Sequence, residues 1–191
     1  MFFVFVDTQA FRSEAFAFDT SAALVALRNA VKDGRITVLM TTITEREIKR
    51  LLEAEVSTAF QGVKKAVKDN YMLKTVPVVE LENVRRTRKE EVVTKAIVLW
   101  EQYSQSIAPK MIDFDNIKPS EVMDAHFAKE PPFSASKPNE FRDAFVLRAL
   151  YEWAEAEDQQ VLVVSGDGDH AVDCKVDNLS VMLKAEFLRK A

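Results

Sequence analysis

Phe2-Phe3-Val4-Phe5-Val6-Asp7 runs through five apolar, aromatic and β-branched residues and stops on an acid. A short run without polar alternation predicts a strand covered on both faces, as in a parallel sheet flanked by helices. Ile36-Thr37-Val38-Leu39-Met40 and Val161-Leu162-Val163-Val164 read the same way, and Leu179–Leu183 is a candidate fourth strand. Between them the apolar spacing becomes helical. Leu24, Leu27 and Val31 predict a helix over 20–33, started by Thr20 or Ser21 and stopped at Asp33-Gly34. Ile48, Leu51, Leu52 and Val56 mark one face of a long helix after Thr41-Thr42-Ile43-Thr44. Further helices are expected at 63–71, at 84–103, at 121–128 and at 143–156, with a break at Val76-Pro77-Val78-Val79 and loops over 104–120 and 129–139. Strand–helix alternation at both ends predicts an α/β fold with a mainly parallel sheet: one domain over 1–191, interrupted by a helical insertion at about 62–135.

With 191 residues and 48% hydrophobic content the chain can bury a core of useful size. Its one cysteine, Cys174, excludes a disulfide framework and a thiolate zinc site and reads as a small buried or neutral residue. The two histidines, His126 and His170, leave little for a histidine-rich metal centre. The apolar start has no basic leader and ends at Asp7, so it is not a secretory signal, and no run is long enough to span a bilayer. These features predict a cytoplasmic protein with no membrane partner. The net charge of −4 argues against a general nucleic-acid coat protein, yet the charge is uneven. Residues 62–100 carry nine Lys/Arg against five Asp/Glu, whereas 139–173 carry two Arg against nine acids.

The acids fall at telling places. Asp7 follows the first strand, Glu45 and Glu47 lie near the start of the helix after the second, and Asp167 and Asp169 follow the Val161–Val164 strand in Ser-Gly-Asp-Gly-Asp. Asp143 starts the helix leading into that strand. Ligands of open α/β sheets bind at the carboxyl ends of the strands, where these acids would converge. Crowded carboxylates cannot all ionise without a cation, and an all-oxygen set suits Mg²⁺ or Mn²⁺. Such ions promote phosphodiester hydrolysis. Each acid also has a plainer reading. Asp7 could end a strand, Thr42 with Glu45 or Thr44 with Glu47 could form a capping box, Asp143 could answer a helix dipole, and Ser165 to Asp169 could be a turn. Independent turns, however, would not all place an acid at one end of one sheet.

Four stretches in order, Val-Phe-Val-Asp-Thr-Gln-Ala-Phe (4–11), Thr-Ile-Thr-Glu-Arg-Glu-Ile-Lys-Arg (42–50), Asn-Glu-Phe-Arg-Asp-Ala-Phe (139–145) and Val-Val-Ser-Gly-Asp-Gly-Asp (163–169), resemble the motifs of PIN-domain nucleases. The likeness is to a bacterial PIN-like branch with a helical insert. It implies a three-layer α/β/α sandwich and a Mg²⁺- or Mn²⁺-dependent endonuclease. Carried over by position, the catalytic and metal-binding acids are Asp7, Glu47, Asp143, Asp167 and Asp169, with Thr8 and Ser165 as supporting hydroxyls. Glu47 is preferred to Glu45 because the family's acid usually precedes an aliphatic residue, here Ile48. The chain departs from the pattern at His170, where an aromatic is usual, and at Arg142, where a proline often stands.

Lys64, Lys65 and Lys68 at helical spacing, and Arg85, Arg86, Arg88 and Lys89, form two basic clusters. As a group, with Arg142, they are candidates for holding the phosphates of a nucleic acid, with Tyr71 or Phe133 for base stacking; singly, each reads better as a solvated face. The resemblance favours single-stranded or structured RNA over DNA, in a toxin, a phage-defence effector or an RNA-processing enzyme. An antitoxin, another protein or a second copy of the chain are the further partners it suggests. A DNA or flap-type nuclease and a PIN-fold binding module without catalysis are the alternatives. A haloacid-dehalogenase phosphatase would need an acid two residues after Asp7, and Gln9 stands there.

Overall fold

A computed structural model describes residues 1–72, 79–165 and 179–183, the last stretch by its backbone alone. Most of the expected break at 76–79, and Cys174 and His170, lie outside the described residues. Five parallel strands, β1 (Phe2–Val6), β2 (Ile36–Thr41), β3 (Lys110–Ile112), β4 (Val161–Ser165) and β5 (Leu179–Leu183), form one sheet in the order β3-β2-β1-β4-β5. The helices are α1 (Thr8–Ser13), α2 (Ala22–Lys32), α3 (Thr42–Asp69), α4 (Val79–Arg86), α5 (Lys89–Ile107), α6 (Pro119–Ala128) and α7 (Phe141–Ala156). The α/β fold with a parallel sheet read from the sequence is the fold the chain adopts.

Burial follows the pleat. Val4 of β1 pairs in register with Val38 of β2 and Leu162 of β4. Phe5, Leu39, Val161 and Val163 turn to one face and pack with Ala144, Leu150 and Ala154 of α7 and Val122 of α6. Val4, Val6, Val38, Met40 and Val164 turn to the other and are equally buried. There α1 lies against β4 and α2 against β2, with Phe11, Leu24 and Leu27 fully buried. Ser21 caps α2 by accepting from Leu24 N at 3.2 Å, and Gly34 ends it with φ +68°, a conformation that favours glycine.

Three features differ from expectation. Strand β3 falls in a stretch read as loop, because three residues are too few for a periodic signal. It is held by tertiary contacts instead: Lys110 Nζ reaches Glu157 Oε1 at 3.2 Å and stands 4.8 Å from the Trp153 ring centre. The helices expected separately from Ile48 and at 63–71 are one 28-residue helix, α3, because Gly62 lies in open space and weakens the helix without breaking it. The helix expected at 84–103 is instead the ends of two. Arg85 and Arg86 close α4 and Glu90 and Glu91 open α5, the charge order that helix dipoles favour across a boundary.

The chain divides into two compact units, Met1–Glu47 with Ser104–Ala191, and Ile48–Tyr103. In the second, Lys49 Nζ of α3 lies 3.7 Å from Glu101 Oε1 of α5, and Leu52, Val67 and Trp100 are buried. Among the described residues no helix is long and apolar enough to cross a membrane.

The exposed glycine inside α3 yields a stability test. Gly62→Ala should stabilise the protein by about 0.5–1 kcal/mol, since alanine gives up less backbone freedom in a helix and meets no neighbour. Urea denaturation would show it as a raised midpoint at unchanged slope.

Candidate active site

Strand order makes the carboxyl ends of β1 and β4 the switch point of the sheet: the chain leaves β1 toward β2 and β3, then returns to β4 and β5 on the other side. Open parallel sheets bind ligands in the crevice that such a reversal creates. Asp7 stands there as the N-cap of α1. Its backbone N donates to Val164 O at 2.9 Å, and its Oδ2 accepts from Ser165 Oγ at 3.1 Å and from Gln9 N at 3.3 Å. Ser165 is the last residue of β4 and fully buried, so its hydroxyl fixes Asp7 from the protein side.

Glu47 arrives from the next element. Helix α3 is preceded by Thr41, whose buried Oγ1 accepts from Thr44 N at 3.1 Å and lies 2.9 Å from Thr44 Oγ1. Thr41 therefore caps the helix, and the capping boxes considered for Thr42 with Glu45 and Thr44 with Glu47 are not what starts it. Glu47 Oε2 accepts from Thr8 Oγ1 at 3.2 Å, and its Oε1 pairs with Arg142 Nη1. Of these two consecutive residues, Asp7 thus supplies one carboxylate and Thr8 donates to the other, Glu47.

Asp143 lies in the first turn of α7. Its carboxyl is pushed up to about 7, first by burial, then by a hydrogen bond to the Glu140 carboxyl and by the charges of Glu140, Asp7 and Glu47. Glu140, the N-cap of α7, makes no cap hydrogen bond with its side chain and meets Asp143 instead. Sequence reading did not single out Glu140, although its spacing of three residues before Asp143 at a helix start carried the signal. Glu45 lies half-buried in the first turn of α3 and is not among the acids acting on Asp143.

The structure brings Asp7, Thr8, Glu47, Arg142, Asp143 and Ser165 together. Asp167 and Asp169 lie outside the described residues. Among the described residues no three His, Cys, Asp or Glu side chains form a group spaced to hold a metal ion. The donors nevertheless fit a hard divalent cation in type: all are oxygen, and burial together with the neighbouring acids already shifts Asp143. His126 packs on Phe133 and Phe141, ring centres 5.1 and 4.8 Å away. A pocket of about 320 Å³ between α6 and α7, lined by Glu121, Val122, Leu147, Arg148 and Tyr151 among others, contains none of the site acids.

The basic residues divide by environment. Lys65, Lys68, Arg86 and Arg88 are exposed, Lys64 is half-buried with Nζ 5.4 Å from the Phe60 ring centre, and Arg85 is paired with Glu82. Tyr71 is exposed. Phe133 is not available for base stacking, because it is 2% exposed and packed in the core with Phe141.

Stability should report the crowding at Asp143. Its folded-state value of about 7 lies above the usual range for an unfolded aspartate, about 3.9. The native state therefore binds the extra proton between these limits, and the stability this provides is full below about pH 4 and lost as pH rises through 7. In metal-free protein, Asp143→Asn should raise the melting temperature relative to wild type increasingly from pH 5 to pH 8. A difference independent of pH would show that Asp143 ionises normally.

The family of the PIN domain matches residues 4–170, from β1 through the acids to the stretch beyond β4. No curated protein and no solved structure matches the chain. The match runs through all four acidic stretches and the sheet that gathers the described ones, and the chain belongs to the PIN-domain family, a nuclease-type superfamily.

Proposed function

We propose that the protein is a divalent-metal-dependent endonuclease that hydrolyses phosphodiester bonds in single-stranded or structured RNA. The observation that carries this reading is the convergence of Asp7, Glu47 and Asp143 at the switch point of the sheet, where burial first, and then the neighbouring acids, push the Asp143 carboxyl up. Asp7 and Asp143, with Asp167, would bind Mg²⁺ or Mn²⁺; Glu47 and Asp169 would hold a second ion or orient water. When bound, the ion supplies the positive charge that lets these acids ionise together and acidifies a water for attack on phosphorus. The chain's own groups set the geometry. Ser165 and Gln9 N hold Asp7, Thr8 holds Glu47, and burial favours the protonated form of the Asp143 carboxyl.

The helical unit is proposed to bind the phosphate backbone through Lys64, Lys65, Lys68 and Arg86, with Tyr71 offering a face for a base. A toxin or phage-defence role in the cytoplasm, with an antitoxin or a second copy as partner, accords with this activity. A second reading, a PIN-fold binding module without catalysis, is favoured by two observations: Arg142 occupies Glu47, and the described acids are not gathered to ligating distance.

Cleavage of labelled RNA and DNA with Mn²⁺ separates the two. Asp143→Asn should remain folded by circular dichroism and lose activity by about 10²-fold or more, the scale of removing one group that acts in the transition state. Undiminished cleavage in EDTA or by the folded variant would refute the nuclease reading, and no cleavage by wild type would favour the binding module.

Binding should respond to the lysines separately. Gln at positions 64, 65 and 68 should weaken RNA binding and reduce the slope of log affinity against log salt by about 0.7 for each phosphate no longer held. Metal-induced stabilisation should be unchanged. An unaltered slope would make these lysines a solvated face.

A further inference from the structure

Glu47 is shared between two donors of different kinds. The Thr8 hydroxyl, on a residue 3% exposed, reaches Oε2 at 3.2 Å from within the protein. The Arg142 guanidinium pairs with Oε1 from the solvent side: its side chain is 58% exposed, against 18% for Glu47. Arg142 precedes Asp143 on the first turn of α7, so the cation and the most crowded acid of the site are carried on one rigid element. Asp7 and Glu47 both act electrostatically on Asp143, which makes the Arg142 charge the nearest compensation the described residues offer to Glu47. A guanidinium keeps its proton at any ordinary pH, so it can leave the carboxylate only by moving. A pair this exposed is weak enough to move, since solvent-facing ion pairs contribute little.

We propose that Arg142 is a built-in counter-ion that competes with a divalent cation for Glu47. In metal-free protein it neutralises Glu47 and holds the start of α7 to α3. When a cation binds, the arginine is displaced and its fork of N–H donors becomes available to a phosphate oxygen of the substrate. This rests on the reading of Asp7, Glu47 and Asp143 as a cation site. It makes Arg142 a substrate-binding residue that couples metal binding to substrate capture.

The test is calorimetric titration with Mn²⁺, paired with melting curves with and without Mn²⁺, and it needs no turnover. Arg142→Gln should bind Mn²⁺ about fivefold more tightly than wild type, the upper end of what a solvent-facing ion pair contributes. Without metal it should melt lower, and at saturating Mn²⁺ the gap should close. Arg142→Lys keeps the charge but not the fork and should fall between. Arg46→Gln, the same charge change at an exposed position on α3, should alter Mn²⁺ affinity by no more than about twofold, because exposed charges are screened. In a Glu47→Gln background, Arg142→Gln should have no effect on Mn²⁺ affinity. If wild type binds Mn²⁺ and Arg142→Gln binds it no better, or if the gain persists without Glu47, the counter-ion role is overturned while the cation site stands. If wild type binds no Mn²⁺, both fall.

Discussion

Repulsion among carboxylates at the carboxyl ends of β1 and β4 is the constraint around which this part of the molecule is organised. Asp7, Glu47 and Glu140 act on Asp143 at the start of α7, and the surroundings answer in several ways. Hydroxyls from Ser165 and Thr8 satisfy lone pairs without adding charge. Arg142 adds one positive charge at Glu47. Asp143, the member for which burial is the largest influence, takes up a proton more readily than an ordinary aspartate. Hydroxyl, cation and proton each help to keep acids together without a bound metal, as does the backbone donor Gln9 N at Asp7.

The sheet makes that arrangement possible because the whole of β1 is apolar. Residues Val4 to Val6 are buried on both faces, so the first polar side chain of β1 can appear only where the strand ends. Parallel pairing then aligns that end with the end of β4, which places Asp7 N on Val164 O and Ser165 Oγ on Asp7 Oδ2. Register follows from apolar burial, and the polar site inherits its precision from the register.

This explains what was legible in the sequence. Strands β1 and β4 declared themselves by unbroken apolar runs whose endings marked Asp7 and Ser165, and β2 by an apolar run interrupted only at Thr37. Helix α2 was legible through Ser21 and Gly34, whose capping is local chemistry. What was hidden depends on distant partners. Strand β3 has three residues and is anchored by Lys110 on Glu157 and Trp153. The pairing of Arg142 with Glu47 joins residues 95 apart, and the burial of Phe133 depends on α7 packing beside it. Of the five proposed acids, Asp7, Glu47 and Asp143 are placed and Asp167 and Asp169 lie outside the described residues.

Asp143 also shows which of two opposed influences prevails at the start of a helix. An acid in a first turn is ordinarily favoured as a carboxylate by the helix dipole, by about 0.3–1 kcal/mol, less than a tenfold change in ionisation. A carboxyl at about 7 instead ionises roughly a thousandfold less readily than one at 3.8. The dipole is therefore overruled by burial and by neighbouring acids, and the usual structural reason for an aspartate at this position does not account for it. An acid kept where it is electrostatically unwelcome is stabilised by whatever positive charge can reach it. On this turn of α7 the adjacent residue, Arg142, carries such a charge and directs it to Glu47. That leaves Asp143 as the group with most to gain from a cation arriving from solution.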